Sequence, residues 1–195
     1  MSFSQKFTNG MLRLLGWEAV IMEPVPEKCI IIGAPHTTNL DLPFTLMLIY
    51  ATKVRSNWLA KKEVFNPPFG KIFSRLGGIP VDRSRRHNLV KDIATRIRES
   101  DVMRIAIAPE GTRSLSKYWK TGFYYMALEA KVPIVMGYID YAKKKVGFGP
   151  SFMPSGDIQA DFEILRNFYT NKIGLHRKKT SEIVPKPRRE RDTFK

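Results

Sequence analysis

Residues 28–41 read KCIIIGAPHTTNLD. A short apolar run rich in isoleucine stops at glycine and proline, the pattern of a buried strand bounded by turn residues. A polar loop follows, and then the apolar stretch LPFTLMLIYA at 42–51, which reads as part of a helix over about 39–52. A strand that delivers a polar loop into a helix is the unit from which α/β domains are built.

The same alternation recurs along the chain. Strands are expected around 18–22, 57–60, 79–81, 103–108 and 133–139. Helices are expected at about 67–76, opened by NPP and stopped by GG, and at 87–99, 121–130 and 157–171. A hairpin is expected through YAKKKVGFG at 141–149. The fold class is therefore α/β: a single domain with a mixed, largely parallel sheet flanked by helices, spanning residues 1–176. Phe3, Phe7, Met11, Leu14 and Leu15 recur at helical spacing with Lys6 and Arg13 between them. This amphipathic segment over about 3–15 either packs on the core or lies on a membrane.

A formal charge of +15, from 33 Lys and Arg against 18 Asp and Glu, calls for anionic company such as lipid headgroups, nucleic acid or a polyanionic small molecule. Residues 177–195 carry eight basic and three acidic side chains with little apolar pattern, and read as a basic, disordered tail. The remainder still carries a formal +10. No run reaches the roughly 18 to 20 apolar residues that a membrane span needs. The one cysteine, Cys29, lies in the apolar run and reads as a core residue in a reducing, cytoplasmic setting.

Three polar clusters fall where strands end: PHTTNLD, VDRSRR and APEGTRS. Such ends are where α/β folds bind ligands. His36 and Asp41 stand five apart, and on spacing alone they fit either an acid/base pair or a helix N-terminus with an incidental histidine. The pair works if Thr38 or Asn39 caps the helix and Asp41 projects from its first turn, where a carboxylate could fix one imidazole tautomer. Arg83 and Arg113 carry planar forks suited to phosphate, although Asp82 and Glu110 could pair with them. Gly111 and Thr112 can bring backbone N–H groups near an anion. No nucleophile elbow, P-loop, zinc helix or cysteine pair is present. His87 and His176 receive no role, and Tyr118, Trp119, Phe123, Tyr124 and Tyr125 read as core and groove lining.

In this order, H-x-x-x-x-D, a strand ending in D-R, P-E-G-T-R-S and then VPIV, the motifs resemble the glycerophospholipid acyltransferase family across about residues 28–140. AKKEVF and the Lys120–Gly122 pair resemble the family's surroundings of these blocks, whereas Pro35, Thr38, Pro80 and Ala108 depart from its usual residues. The resemblance implies that His36 is a catalytic base oriented by Asp41. Arg83, Glu110, Gly111, Thr112 and Arg113 would bind the acceptor's phosphate, and Pro133 would lie on the acyl-donor side. It implies acyl transfer from acyl-CoA or acyl carrier protein to a lysophospholipid, 1-acylglycerol 3-phosphate first among candidates, without metal or bound cofactor. The enzyme would sit peripherally on an anionic membrane surface, on its cytoplasmic face. A different acceptor such as a lyso-aminolipid is the first alternative. A basic nucleic-acid-binding domain is the second, but no zinc, basic-zipper or RNA-recognition signature supports it.

Overall fold

The structure, a computed structural model, describes residues 3–81 and 86–187. In chain order its elements are α1 (Phe3–Leu14), β1 (Glu18–Ile21), β2 (Lys28–Ala34), α2 (Asp41–Thr52), β3 (Asn57–Lys61), α3 (Gly70–Arg75), β4 (Gly78–Val81), α4 (Arg86–Glu99), β5 (Met103–Ile107), α5 (Gly122–Ala130), β6 (Ile134–Asp140), β7 (Lys145–Phe152) and α6 (Ile158–Tyr169). One seven-stranded sheet runs in the order β1-β7-β6-β2-β5-β3-β4. From β6 through β4 the strands are parallel; β7 runs against β6, and β1 runs with β7. The α/β class and mostly parallel sheet read from the sequence are therefore those of the molecule.

β2 occupies the middle of the sheet because its isoleucines are apolar on both faces. Ile30 and Ile32 face α4, α5 and α6, in a core that includes Ile97, Ala127 and Phe162. Cys29 and Ile31 face the other way, onto a cluster with Leu12, Trp17 and Leu48. Burial pushes the Cys29 thiol up to about 12, the behaviour of a core side chain rather than a reactive one. The β6–β7 hairpin is held by buried Asp140, whose Oδ1 accepts from the N–H groups of Ala142 at 3.1 Å and Lys143 at 3.2 Å.

The helix expected over 67–76 is shorter than its sequence suggests. Residues Lys62–Phe65 form a 3-10 turn and α3 begins only at Gly70. At Gly70 the chain passes so close to Phe65 that a Cβ would overlap its carbonyl, and the Gly70 N–H reaches Asn66 O at 3.2 Å. A sharp local turn replaces the first helical turn.

In α1 the apolar stripe is not the packing face. Thr8 and Leu12 are buried, while Phe3 and Leu14 are 85% and 89% exposed and Phe7 60%. Gln5 anchors the inner face by donating to Ala51 O at 3.2 Å.

The loose tail expected from residue 177 needs correction as far as the described residues go. Residues 177–179 form a 3-10 turn, and the next stretch runs beside Trp119. Trp119 N donates to Val184 O at 2.9 Å, and Lys186 N donates to Trp119 O at 2.9 Å. Ser181 is buried, and Arg166 Nε donates to Ile183 O at 3.4 Å. A charge-rich segment adheres because its backbone groups and a few small or apolar side chains, rather than its charges, make the contacts.

Removing the residues after Thr180 should lower the melting temperature by roughly 5–10 °C, on the basis of about 1 kcal/mol for each of several lost hydrogen bonds. Scanning calorimetry of the truncated and full chains checks this. An unchanged melting temperature would show that the segment contributes nothing to the fold.

Candidate active site

Strand register decides which loops meet. Ile32 of β2 pairs with Ile107 of β5, and Ala34 pairs with Tyr138 of β6. Counting on from each pair, His36, Glu110 and Tyr141 leave neighbouring parallel strands at nearly the same height. The site therefore forms at the carboxyl end of the central strand, where the dipeptide Pro35–His36 follows a cis peptide bond at Ala34–Pro35.

His36 Nδ1 lies 2.8 Å from Asp41 Oδ2. A carboxylate only accepts, so Nδ1 carries the proton, and in the neutral imidazole the lone pair is on Nε2. The two side chains are 28% and 5% exposed, so a partly open imidazole rests on a buried anion. Asp41 opens α2, but the cap expected from Thr38 or Asn39 is not formed. Leu40 occupies the N-cap position without a side-chain cap bond. The Asp41 carboxylate instead turns back toward the loop, its Oδ2 accepting from Thr37 N at 3.0 Å and Thr38 N at 3.1 Å. The carboxylate thus holds two N–H groups of the loop and the imidazole together, bracing the loop rather than capping α2. Thr38 Oγ1 accepts from Leu40 N at 3.3 Å. Oδ1 of Asp41 accepts from the Tyr141 hydroxyl at 2.9 Å.

Glu110 is turned inward. It is 1% exposed; its Oε1 accepts from His36 N at 3.0 Å, and its Oε2 accepts from Ser181 Oγ at 3.5 Å. It joins the histidine loop to the 181–187 segment. Ser181 Oγ in turn accepts from Ser116 N at 3.0 Å. Burial drives the Glu110 carboxyl up to about 7, against the opposing effect of the His36 N–H.

Gly111 follows in a turn closed by its N–H to Ala108 O at 3.0 Å. Its φ of +66° favours glycine, and a Cβ there would overlap the Lys120 side chain. Lys120 Nζ donates to Gly111 O at 3.3 Å. Thr112 and Arg113 are exposed on the same loop. A flexible cation, an exposed guanidinium and a glycine turn thus stand next to the imidazole loop, an arrangement that can receive an anion.

Two of the residues singled out in the sequence are not brought into this group. Pro133 precedes β6, and its carbonyl accepts from Ile30 N at 3.0 Å. It therefore lies near the start of β2, roughly 20 Å from His36 by strand rise. Arg83 lies outside the described residues. Conversely, Tyr141 and Ser181 contact the pair and Glu110 without having been singled out. For Tyr141 the only signal available was its place just past the strand that neighbours β2.

Residues 18–139 match the family described as Acyltransferase. A Mycoplasma pneumoniae protein named "Probable 1-acyl-sn-glycerol-3-phosphate acyltransferase" is 30% identical over 160 residues, 71% of this chain and 58% of that protein. The proteins named 1-acyl-sn-glycerol-3-phosphate acyltransferase from Salmonella typhimurium and Salmonella typhi are each 29% identical over 118 residues, 58% of this chain and 47% of theirs. The chain thus spans about half the length of the curated relatives it matches.

Glu110 gives stability a pH dependence with a definite sign. Its carboxyl titrates at about 7 in the folded chain against 4.5 ordinarily. Between those values the unfolded chain has released the proton and the folded chain still holds it. Stability therefore falls as pH rises from about 4.5 to 7 and levels off above, by at most about 3 kcal/mol. Glu110→Gln should remove that part of the slope, so urea unfolding of the two proteins should diverge across this window. Parallel stability curves would contradict the burial effect.

Proposed function

The chain belongs to the acyltransferase family, and on that premise we propose that it moves a fatty acyl group from a thioester to a hydroxyl of a lysophospholipid. The donor is acyl-CoA or acyl carrier protein. The acceptor is 1-acylglycerol 3-phosphate, giving phosphatidic acid, a choice favoured by the names of the relatives. The observation that carries the reading is the 2.8 Å contact between His36 Nδ1 and the buried Asp41 carboxylate, set beside the loop of Glu110–Arg113.

In this mechanism His36 Nε2 takes the proton from the acceptor hydroxyl as its oxygen attacks the thioester carbonyl. Asp41 holds the tautomer and stabilises the imidazolium. The tetrahedral oxyanion collapses by breaking the carbon–sulfur bond, and the departing thiolate takes the proton from His36. Ester and free thiol leave, and the protein is unchanged. Arg113, the Gly111 turn with Thr112, and Arg83 hold the acceptor's phosphate. Glu110 contributes by fixing the loop rather than by meeting an anion.

The acceptor's own chain sits in a bilayer, and no helix among the described residues is long and apolar enough to cross one. Docking through the outward stripe of α1 supplies the access. Phe3, Phe7 and Leu14 are exposed where a packing face would bury them, and Lys6 and Arg13 share that helix. Apolar insertion combines with attraction of roughly 1 kcal/mol per basic residue near an anionic leaflet. The surface is assigned to the cytoplasmic face, in keeping with the buried free thiol of Cys29.

With acyl-CoA and 1-acylglycerol 3-phosphate, His36→Ala should lose roughly a hundred- to ten-thousandfold in turnover while circular dichroism stays that of the wild type. Near wild-type turnover in the variant would sink the mechanism, and preference for a phosphate-free acceptor would sink the assignment of Arg113. Sedimentation with vesicles should show binding that requires anionic lipid, weakens with salt and drops sharply in Phe3→Ser/Phe7→Ser. Equal binding to neutral vesicles, or binding to DNA with none to lipid, would overturn the docking mode.

A further inference from the structure

Tyr141 begins the turn between β6 and β7, and its hydroxyl donates to Asp41 Oδ1 at 2.9 Å across a separation of 100 residues. Its surroundings fix it from three directions. Its backbone N–H donates to Ile173 O at 2.8 Å. Its ring stands edge-on to Trp17 at 5.0 Å and to Phe44 at 5.9 Å, and those two rings stack on each other at 4.0 Å. Trp17 follows α1 and Phe44 lies in α2, so the clamp is built from three separate elements.

The carboxylate it touches is asymmetrically used. Oδ2 accepts from His36 Nδ1, Thr37 N and Thr38 N, whereas the bond from Tyr141 is made to Oδ1. A carboxylate with donors on only one oxygen can rotate about its terminal torsion, which is broad and roughly two-fold. A partial rotation would lift the bonded oxygen out of line with the imidazole N–H and loosen that grip, although a full half-turn merely interchanges equivalent oxygens. A buried carboxylate oxygen left without a donor is also costly. Burial, reinforced by the Asp41 carboxylate, pushes the Tyr141 phenol well above its usual range, so it remains a donor.

We propose that Tyr141 is a positioning residue of the acyl-transfer site, its hydroxyl holding Asp41 Oδ1 so that Oδ2 stays on His36 Nδ1. The inference rests on His36 acting as the base. Tyr141 need not touch substrate; it acts through Asp41, and the aromatic clamp of Trp17 and Phe44 makes the hydroxyl's position reproducible.

The test uses the full chain and two kinds of readout. An imidazole N–H bonded to a carboxylate gives a downfield proton resonance, which is assigned to His36 by its loss in His36→Ala. In Tyr141→Phe this resonance should shift or broaden, kcat should fall roughly ten- to thirtyfold, and KM for donor and acceptor should stay within about twofold. In an Asp41→Asn background the same substitution should change kcat less than about twofold, because the partner through which it acts is gone. Should Tyr141→Phe fold poorly, ring-fluorinated tyrosine at this position keeps the shape while strengthening the donor, and the resonance should move stepwise upfield with phenol acidity. A folded Tyr141→Phe with wild-type resonance and kcat overturns the inference, as does a loss of equal size in both backgrounds. If His36→Ala keeps its turnover, the base assignment beneath the inference falls instead; dead His36→Ala with unaltered Tyr141→Phe removes the inference alone.

Discussion

Asp41 places a carboxylate at 5% exposure, where an unpartnered anion would cost several kcal/mol. The site can be understood as the set of groups that make this position tolerable. Two backbone N–H groups, one imidazole and one phenol converge on it, drawn from the loop after β2 and from the end of β6. Because donors come from both, the carboxylate fixes the loop, the start of α2 and the hairpin relative to one another. The imidazole inherits its orientation from that arrangement, which preorganises it before any substrate arrives.

Convergence at one point needs strands that end level. The pairings Ile32 to Ile107 and Ala34 to Tyr138 supply it, and they are themselves secured by isoleucines buried on both faces of the central strand. A slip of one residue in β2 would turn Ile31 toward α5 and move His36 off the level of Glu110. Core packing and site geometry are thus enforced by the same register. Glu110 adds a second joint, since its carboxyl links the His36 backbone to Ser181.

Much of this was legible in the sequence, for identifiable reasons. Apolar run length and turn residues located the strands and most helices, because those signals are local. The spacing of His36 and Asp41 left their pairing open, since a helix N-terminus with an incidental histidine fits it as well; the order of motifs along the chain favoured the pair. Tyr141 was not, since its contact spans 100 residues and a tyrosine after a strand carries no mark of its own. The α1 stripe was legible as a stripe but not in direction: periodicity gives a face, and only the seam made by Thr8 and Leu12 says which way it points. Charge misled at residues 177–187, where backbone pairing with Trp119 outweighs a basic composition. Pro133 stood close to other motifs along the chain, yet strand direction carries it to the far end of the sheet.

The joints at Thr37 and Glu110 also set a timetable. His176 N donates to Thr37 Oγ1 at 3.3 Å across 139 residues, and Ser181 meets Glu110 across 71. At about 5–20 residues per second, the ribosome finishes the histidine loop some seven seconds or more before it makes the segment that braces it. In that interval the nascent chain holds an imidazole, a buried-to-be carboxylate and an uncovered Trp119 surface without their last partners. The brace on the histidine loop can therefore close only after residues 176–181 have left the ribosome, long after the strand and helix that it braces.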